Sequence, residues 1–210
     1  MTNIVVIGGG GHARVLLSIL QKIPETNPLG YTALHDAGPL LGVPYLGTDE
    51  ILAGLIGRIE HCAALIGLGN VHGGTVRARL REFVERLGYV LPAVVSPDAV
   101  VCKNVTIGSG TVIMDGAVVN VGTVVGECSV LNTNCTVDHD CVIGDYVHIA
   151  PGATLSGGVH VGNNTLVGVG ATVIQSITIS NNCLIGAGAT VVSNLDEPGT
   201  YIGIPARRIS

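Results

Sequence analysis

Between residues 95 and 196 a branched aliphatic side chain returns at every sixth position, from Val95, Val101 and Ile107 to Ile179, Ile185 and Val191, through seventeen hexads without a change of phase. A period of six is neither helical nor a plain strand alternation. Short repeats of this kind mark a β-helix, in which brief strands are joined by tight corners. The first hexad position is predicted to point inward, because Val, Ile and Leu suit a pleated, buried surface. The fifth position is mostly small, as at Thr111, Ala117, Thr123, Cys135, Cys141, Ala153 and Thr165. A large residue and a small one in alternation would fill a narrow triangular interior. Glycine recurs at the second position (Gly108, Gly126, Gly144, Gly162) and the fourth (Gly110, Gly116, Gly122, Gly152). Both sets are expected to supply corner conformations with positive φ.

Residues 1–90 follow other rules. Asn3–Ile7 reads as a short buried strand, Gly8-Gly9-Gly10-Gly11-His12 as a turn, and Ala13, Leu16, Leu17, Leu20 and Ile23 as a helical stripe. Cys62–Leu68 reads as another strand. Val76, Leu80, Phe83 and Leu87 then give an amphipathic helix, predicted to hold Arg77, Arg79, Arg81, Glu82, Glu85 and Arg86 outside. Strand, glycine turn, helix and strand again indicate a small parallel, Rossmann-like α/β unit. The expected domains are 1–90, the repeat at 91–196 and a tail at 197–210.

Composition narrows the function classes. Net charge is −5 with ten Lys plus Arg, and the aromatics are Phe83 and five tyrosines, which argues against a nucleic-acid partner. The 31 glycines follow the hexad rather than a three-residue period, so collagen is excluded. No apolar run is long enough to span a membrane. The N-terminus lacks a basic stretch of the signal-peptide type. Six cysteines without a C-x-x-C pair, three of them at the small interior position, read as buried reduced thiols in a cytoplasmic protein.

Two places carry candidate chemistry. Gly8-x-Gly10-x-x-Ala13 fits the dinucleotide fingerprint loosely, and its amides with the following helix N-terminus form an anion site. The ribose-reading acid expected about 20 residues on is missing from Gly30-Tyr31-Thr32-Ala33-Leu34, and Asp36 comes late. The turn therefore reads as a nucleotide phosphate site or a structural tight turn ahead of an NAD site. In the repeat, His139 sits at the third hexad position, facing out, between Asp138 and Asp140. A neighbouring carboxylate fixes the tautomer of an imidazole and raises its basicity, which a general base requires.

The repeat resembles that of the hexapeptide-repeat acyltransferases, which implies a left-handed parallel β-helix with three hexads per coil and a prism roughly 25–30 Å tall at the usual strand spacing. The likeness extends to Ile7-Gly8-Gly9-Gly10-Gly11-His12-Ala13, Leu41-Gly42-Val43-Pro44-Tyr45-Leu46-Gly47 and Gly203-Ile204-Pro205-Ala206-Arg207. Together these resemble the sialic-acid-type sugar O-acetyltransferases and the related nucleotide-aminosugar N-acetyltransferases. The resemblance implies acetyl-CoA as co-substrate, no metal, a homotrimer, and a nucleotide-linked sugar held at Gly10, Gly11, His12 and Gly69. Its motif is met by His139, Asp140, Val142-Ile143-Gly144 and His148, making His139 the base and Asp140 its orienting partner. His148 would touch the acetyl end of acetyl-CoA. Gly157, one coil on from His139, would offer its N–H to the oxyanion. Val169 and Ala187, in the column of Pro151, would line the pantetheine arm.

The glycine turn, implying a phosphate-bearing acceptor, favours N-acetylation of a nucleotide-linked amino sugar over sugar O-acetylation. Two further readings are weaker. A γ-class carbonic anhydrase would need a closer histidine pair than His139, His148 and His160 provide. A non-catalytic β-helix scaffold would need a repeated outward column of Thr, whereas Thr111, Thr123 and Thr165 fall at the interior position. The sugar, the base and the role of His160 are not readable from the chain.

Overall fold

The computed structural model describes residues 1–69 and 75–210, which fall into two compact units, residues 1–69 with 75–92 and residues 93–210. In the first unit the strands β1 (Thr2–Ile7), β2 (Thr26–Thr32), β3 (Tyr45–Gly47) and β4 (Cys62–Ile66) form a parallel sheet in the order β3-β2-β1-β4. The helix α1 (Gly11–Leu20) follows the glycine turn and buries Ala13, Leu16, Leu17, Ile19 and Leu20. A 3-10 turn over Asp49–Ile51 leads into the short α2 (Leu52–Leu55), and α3 (Thr75–Arg86) follows β4. β4 is buried at all five positions, as a parallel strand covered on both faces should be.

α3 departs from the predicted face. Val76 is 56% exposed, whereas Val84 and Arg77 are buried. The Arg77 guanidinium donates to the carbonyls of Ile66, at the end of β4, and of Leu68 just beyond it, and these bonds turn the arginine inward. The expectation that Arg77 lies outside is therefore corrected. A buried guanidinium is tolerated where carbonyl acceptors meet it.

The second unit is a β-helix of two- to four-residue strands, parallel but for the last, in three stacked sheets of five, six and eight strands. Successive strands of a sheet pair 18 residues apart, as Val124 with Val142 and Val142 with His160. First-position aliphatics from Ile113 to Val191 form one buried core, interleaved with Ala117, Cys135, Cys141, Ala153, Ala171, Cys183 and Ala189. The fully buried Thr111, Thr123 and Thr165 sit in the same interior. Thr123 is typical: its hydroxyl donates to the Asp138 carbonyl at 2.8 Å and accepts from the Cys141 N–H at 3.3 Å. The end of the chain extends the eight-stranded sheet, because Gly199–Ile202 pairs with Cys183–Ile185 and Arg207–Arg208 folds back on it.

The two glycine sets do different work. Every fourth hexad position from Gly110 to Gly188 has positive φ, including the non-glycines Cys128, Asn134, Asp140, Tyr146, Asn164, Ser176 and Asn182. The second-position glycines do not, which corrects the expectation for them. They are small because the next coil lies on them: a Cβ on Gly108 would come within 2.5 Å of the Gly126 carbonyl carbon.

Candidate active site

The corner at Asp138-His139-Asp140 carries no glycine, where most corners carry at least one. His139 Nδ1 lies 2.8 Å from Asp140 Oδ2. A carboxylate only accepts, so Nδ1 carries the proton and Nε2 is left as the basic nitrogen. Asp140 takes the left-handed conformation at φ 56°, one that Asp tolerates better than most residues. Asp138 Oδ1 accepts from the His139 backbone N–H and from Asn120 Nδ2, both at 2.8 Å, pinning the corner from the coil before. The hydrogen bond to Asp140, with the charge of Asp138 behind it, holds the His139 pKa above the ordinary 6.5. Bonds from Asn120 and the His139 N–H hold Asp138 below the usual carboxylate range. The His139 side chain is 57% exposed, so its Nε2 is reachable from solution.

Glycines on either side make room for this pair. A Cβ built on Gly157 would overlap the His139 ring at Nε2, so the imidazole rests on bare backbone one coil away. A Cβ on Gly122, one coil before, would overlap Asp140 Oδ1. The Gly158 N–H donates to the His139 carbonyl at 2.9 Å, which fixes the stacking. The Gly157 N–H has no partner among the described residues, in keeping with a donor kept for a ligand.

His148 is a separate feature, 8% exposed. Asn132 Oδ1 accepts from the Thr133 N–H at 2.7 Å, so Asn132 turns its amide nitrogen toward His148 Nε2, 3.0 Å away. Nε2 is thereby the acceptor, and the proton of the neutral ring sits on Nδ1. Val169 and Ala187 are exposed and stacked in the column of Pro151, for the Gly170 N–H donates to Pro151 and the Gly188 N–H to Val169. His160 lies on an exposed strand face with Val142 and Thr178 as its neighbours.

In the α/β unit a cavity of about 750 Å³ opens beside the glycine turn. Gly8, Gly9 and Gly10 line it, together with Thr32, Asp49 and Glu50. Gly10 is the N-cap of α1 and makes no side-chain cap hydrogen bond, and a helix start of this kind suits an anion. A Cβ on Gly10 or Gly11 would meet nothing within 4 Å, so the protein's own packing does not require glycine there. Gly11 and His12 begin α1 without lining the cavity. Gly69 is exposed and likewise does not line it.

Sequence reasoning missed Asn120, Asp138 as an anchor, and Asn132. All three stand at the second hexad position, which glycine holds in other coils, and Asn120 and Asp138 are 18 apart. That polar substitution was the available signal. Thr32 and Asp49 were missed because nothing local links them.

Among known proteins, residues 3–80 match the PglD N-terminal domain and residues 122–157 match the bacterial transferase hexapeptide (six repeats). The acetyltransferase domain of PglB from Neisseria gonorrhoeae is 33% identical, with all of each chain covered and a TM-score of 0.88. A histidine-to-asparagine mutant of perosamine N-acetyltransferase from Caulobacter crescentus, in complex with CoA and GDP-perosamine, is 33% identical over 100% of this chain and 98% of that one, with a TM-score of 0.93. WeeI from Acinetobacter baumannii is 27% identical over 99% of this chain and 100% of that chain, with a TM-score of 0.88. No curated protein sequence matches the chain.

Proposed function

The chain belongs to the PglD-type hexapeptide-repeat nucleotide-sugar N-acetyltransferases and uses acetyl-CoA to acetylate a nucleotide-linked amino sugar; on that premise we propose that His139 is its general base. The observation that carries this assignment is the His139–Asp140 pair, with Nδ1 tied to the carboxylate and Nε2 exposed over Gly157.

The sugar amine attacks the thioester carbon of acetyl-CoA. A C–N bond forms, the C–S bond breaks, and the proton shed by the amine passes to His139 Nε2. Asp140 stabilises the imidazolium so formed, and Asp138 adds its charge from the other side. The Gly157 N–H donates to the tetrahedral oxyanion. The proton then leaves with coenzyme A as thiol, and the base is regenerated. No metal takes part in these steps. The donor thioester is bound along the Val169 and Ala187 column, with His148, set by Asn132, at its acetyl end. The nucleotide part is held by the α/β unit in the cavity that Gly10 lines, its phosphates at the start of α1 where Gly11 and His12 stand, with Gly69 assigned to the site by family likeness alone. Residues 1–90 serve as the acceptor unit and 91–196 as the transfer unit, with the tail at 197–210 paired onto the last strands of the transfer unit.

We take the assembly to be a homotrimer, by family likeness, and the compartment to be the cytoplasm, where acetyl-CoA and nucleotide sugars are made. No helix of the described residues is long and apolar enough to cross a membrane. The Caulobacter relative is named as an N-acetyltransferase, which favours an amine acceptor over a hydroxyl. The test is thiol release from acetyl-CoA with UDP-, GDP- and TDP-linked amino sugars. Turnover with one of them is expected. Release with none of them, or only with free hydroxyl sugars, would overturn the reading.

A further inference from the structure

We propose that Asp49 is the carboxylate that reads the ribose of the bound nucleotide, an inference that rests on the α/β unit being the nucleotide-sugar site. In a β-α-β unit of this type the diphosphate lies at the first helix N-terminus, and the ribose hydroxyls meet an acid at the end of the second strand. Here β2 ends on Thr32 and is followed by Ala33 and Leu34, so the chain supplies no acid at that place. The structure delivers one from elsewhere. β3 pairs in parallel with β2, and the 3-10 turn after β3 carries Asp49 back to the end of β2. There Thr32 Oγ1 donates to Asp49 Oδ1 at 2.5 Å.

Thr32 is fully buried and its one hydroxyl proton is committed to Asp49. Asp49 is partly exposed and lines the cavity beside Gly8, Gly9 and Gly10. A carboxylate has about four acceptor sites, so one bond to Thr32 leaves capacity for two vicinal hydroxyls. The glycine turn is pressed against the same strand end, since a Cβ on Gly9 would come within 2.9 Å of the Tyr31 ring and 3.0 Å of Ala33. The glycine turn at Gly8, Gly9 and Gly10 and the Thr32–Asp49 pair therefore line one cavity, as the diphosphate and ribose of one nucleotide require. Leu34, Leu68 and Val76, apolar yet exposed at the same cavity, offer flanks for a planar base.

The test compares binding of UDP with 2′-deoxy-UDP, and of GDP with 2′-deoxy-GDP, by calorimetry on the whole chain. For the preferred base, loss of the 2′-hydroxyl is expected to weaken binding to the wild type roughly tenfold to a hundredfold, the range for a hydrogen bond to a charged group. Asp49→Ala is expected to bind the ribonucleotide more weakly and to bind both sugars alike. Thr32→Val keeps the carboxylate but frees it, so it should shrink the same ratio if Asp49→Ala fails to fold. A merely structural Asp49 would lower stability without touching the ribose-to-deoxyribose ratio. A wild type indifferent to the 2′-hydroxyl, or folded variants that keep the full ratio, would overturn the assignment and leave the acetyltransferase reading standing. Binding of TDP but of neither ribonucleotide would likewise overturn the assignment alone, whereas failure of UDP, GDP and TDP alike to bind the wild type would sink the nucleotide-sugar site, and the assignment with it.

Discussion

The β-helix and the α/β unit place their functional groups in opposite ways. In the β-helix the groups that meet are sequence neighbours or one coil apart: His139 beside Asp140, Asp138 above Asn120, and the imidazole over Gly157. In the α/β unit one cavity draws on the turn after β1, the end of β2, the turn after β3 and the first turns of α3. A translational repeat turns sequence distance into spatial distance by one rule. A wound sheet does not, because each crossover has its own length.

The contrast is broken hardest at His139. His139→Ala should lower kcat by about 10²–10⁴-fold, the usual share of a general base, while acetyl-CoA still binds. Turnover close to wild type would show that the sugar amine loses its proton without this ring. Next comes Gly157→Ala, which puts a methyl group where the imidazole rests. A displacement of the ring by about 1 Å is expected to cost on the order of a hundredfold in kcat, with the fold intact by circular dichroism. If kcat is unchanged, the bare backbone at 157 does not seat the base.

Asp140→Asn sharpens the electrostatic side. The carboxylate raises the His139 pKa, so the ring holds its proton to a pH above 6.5, and the unprotonated base appears only above that raised value. The acid limb of kcat/KM should therefore lie above pH 6.5 in the wild type and move to lower pH in Asp140→Asn, with a smaller plateau. A limb that stays in place would assign the titration to another group. The smallest effect belongs to the interior. Thr123→Val removes a hydroxyl that both donates to Asp138 and accepts from Cys141, and should cost about 1–3 kcal/mol of stability in a denaturant titration. An unaltered midpoint would mean that the buried backbone groups find other partners.

Much of the β-helix was legible because one period governs it. The aliphatic at every sixth residue, the small fifth position and the 18-residue stacking all appear as read, and the last of these follows from the family's three hexads per coil. The error over second-position glycines has a physical cause. Sequence shows that a side chain is missing but not whether backbone angle or a neighbouring coil forbids it. The α/β unit was legible at β1, its turn and α1, where a short apolar run, four glycines and a helical stripe follow one another directly. α3 departs from its expected face because residue type makes Arg77 polar and outward, whereas carbonyls at the end of β4 and just beyond it hold its guanidinium inside. Thr32 and Asp49 could not be joined by any local pattern, since a turn 17 residues later brings the acid back.

The stacking of coils carries a rule about change. Adding or losing a whole winding would move His139, Gly157 and Gly122 together and keep them in line, whereas a single inserted residue between His139 and Gly157 would rotate every later column away from the imidazole. Lineages that take up new sugars are thus free to rework the irregular half of the chain, and in the spool they can adjust only by complete turns.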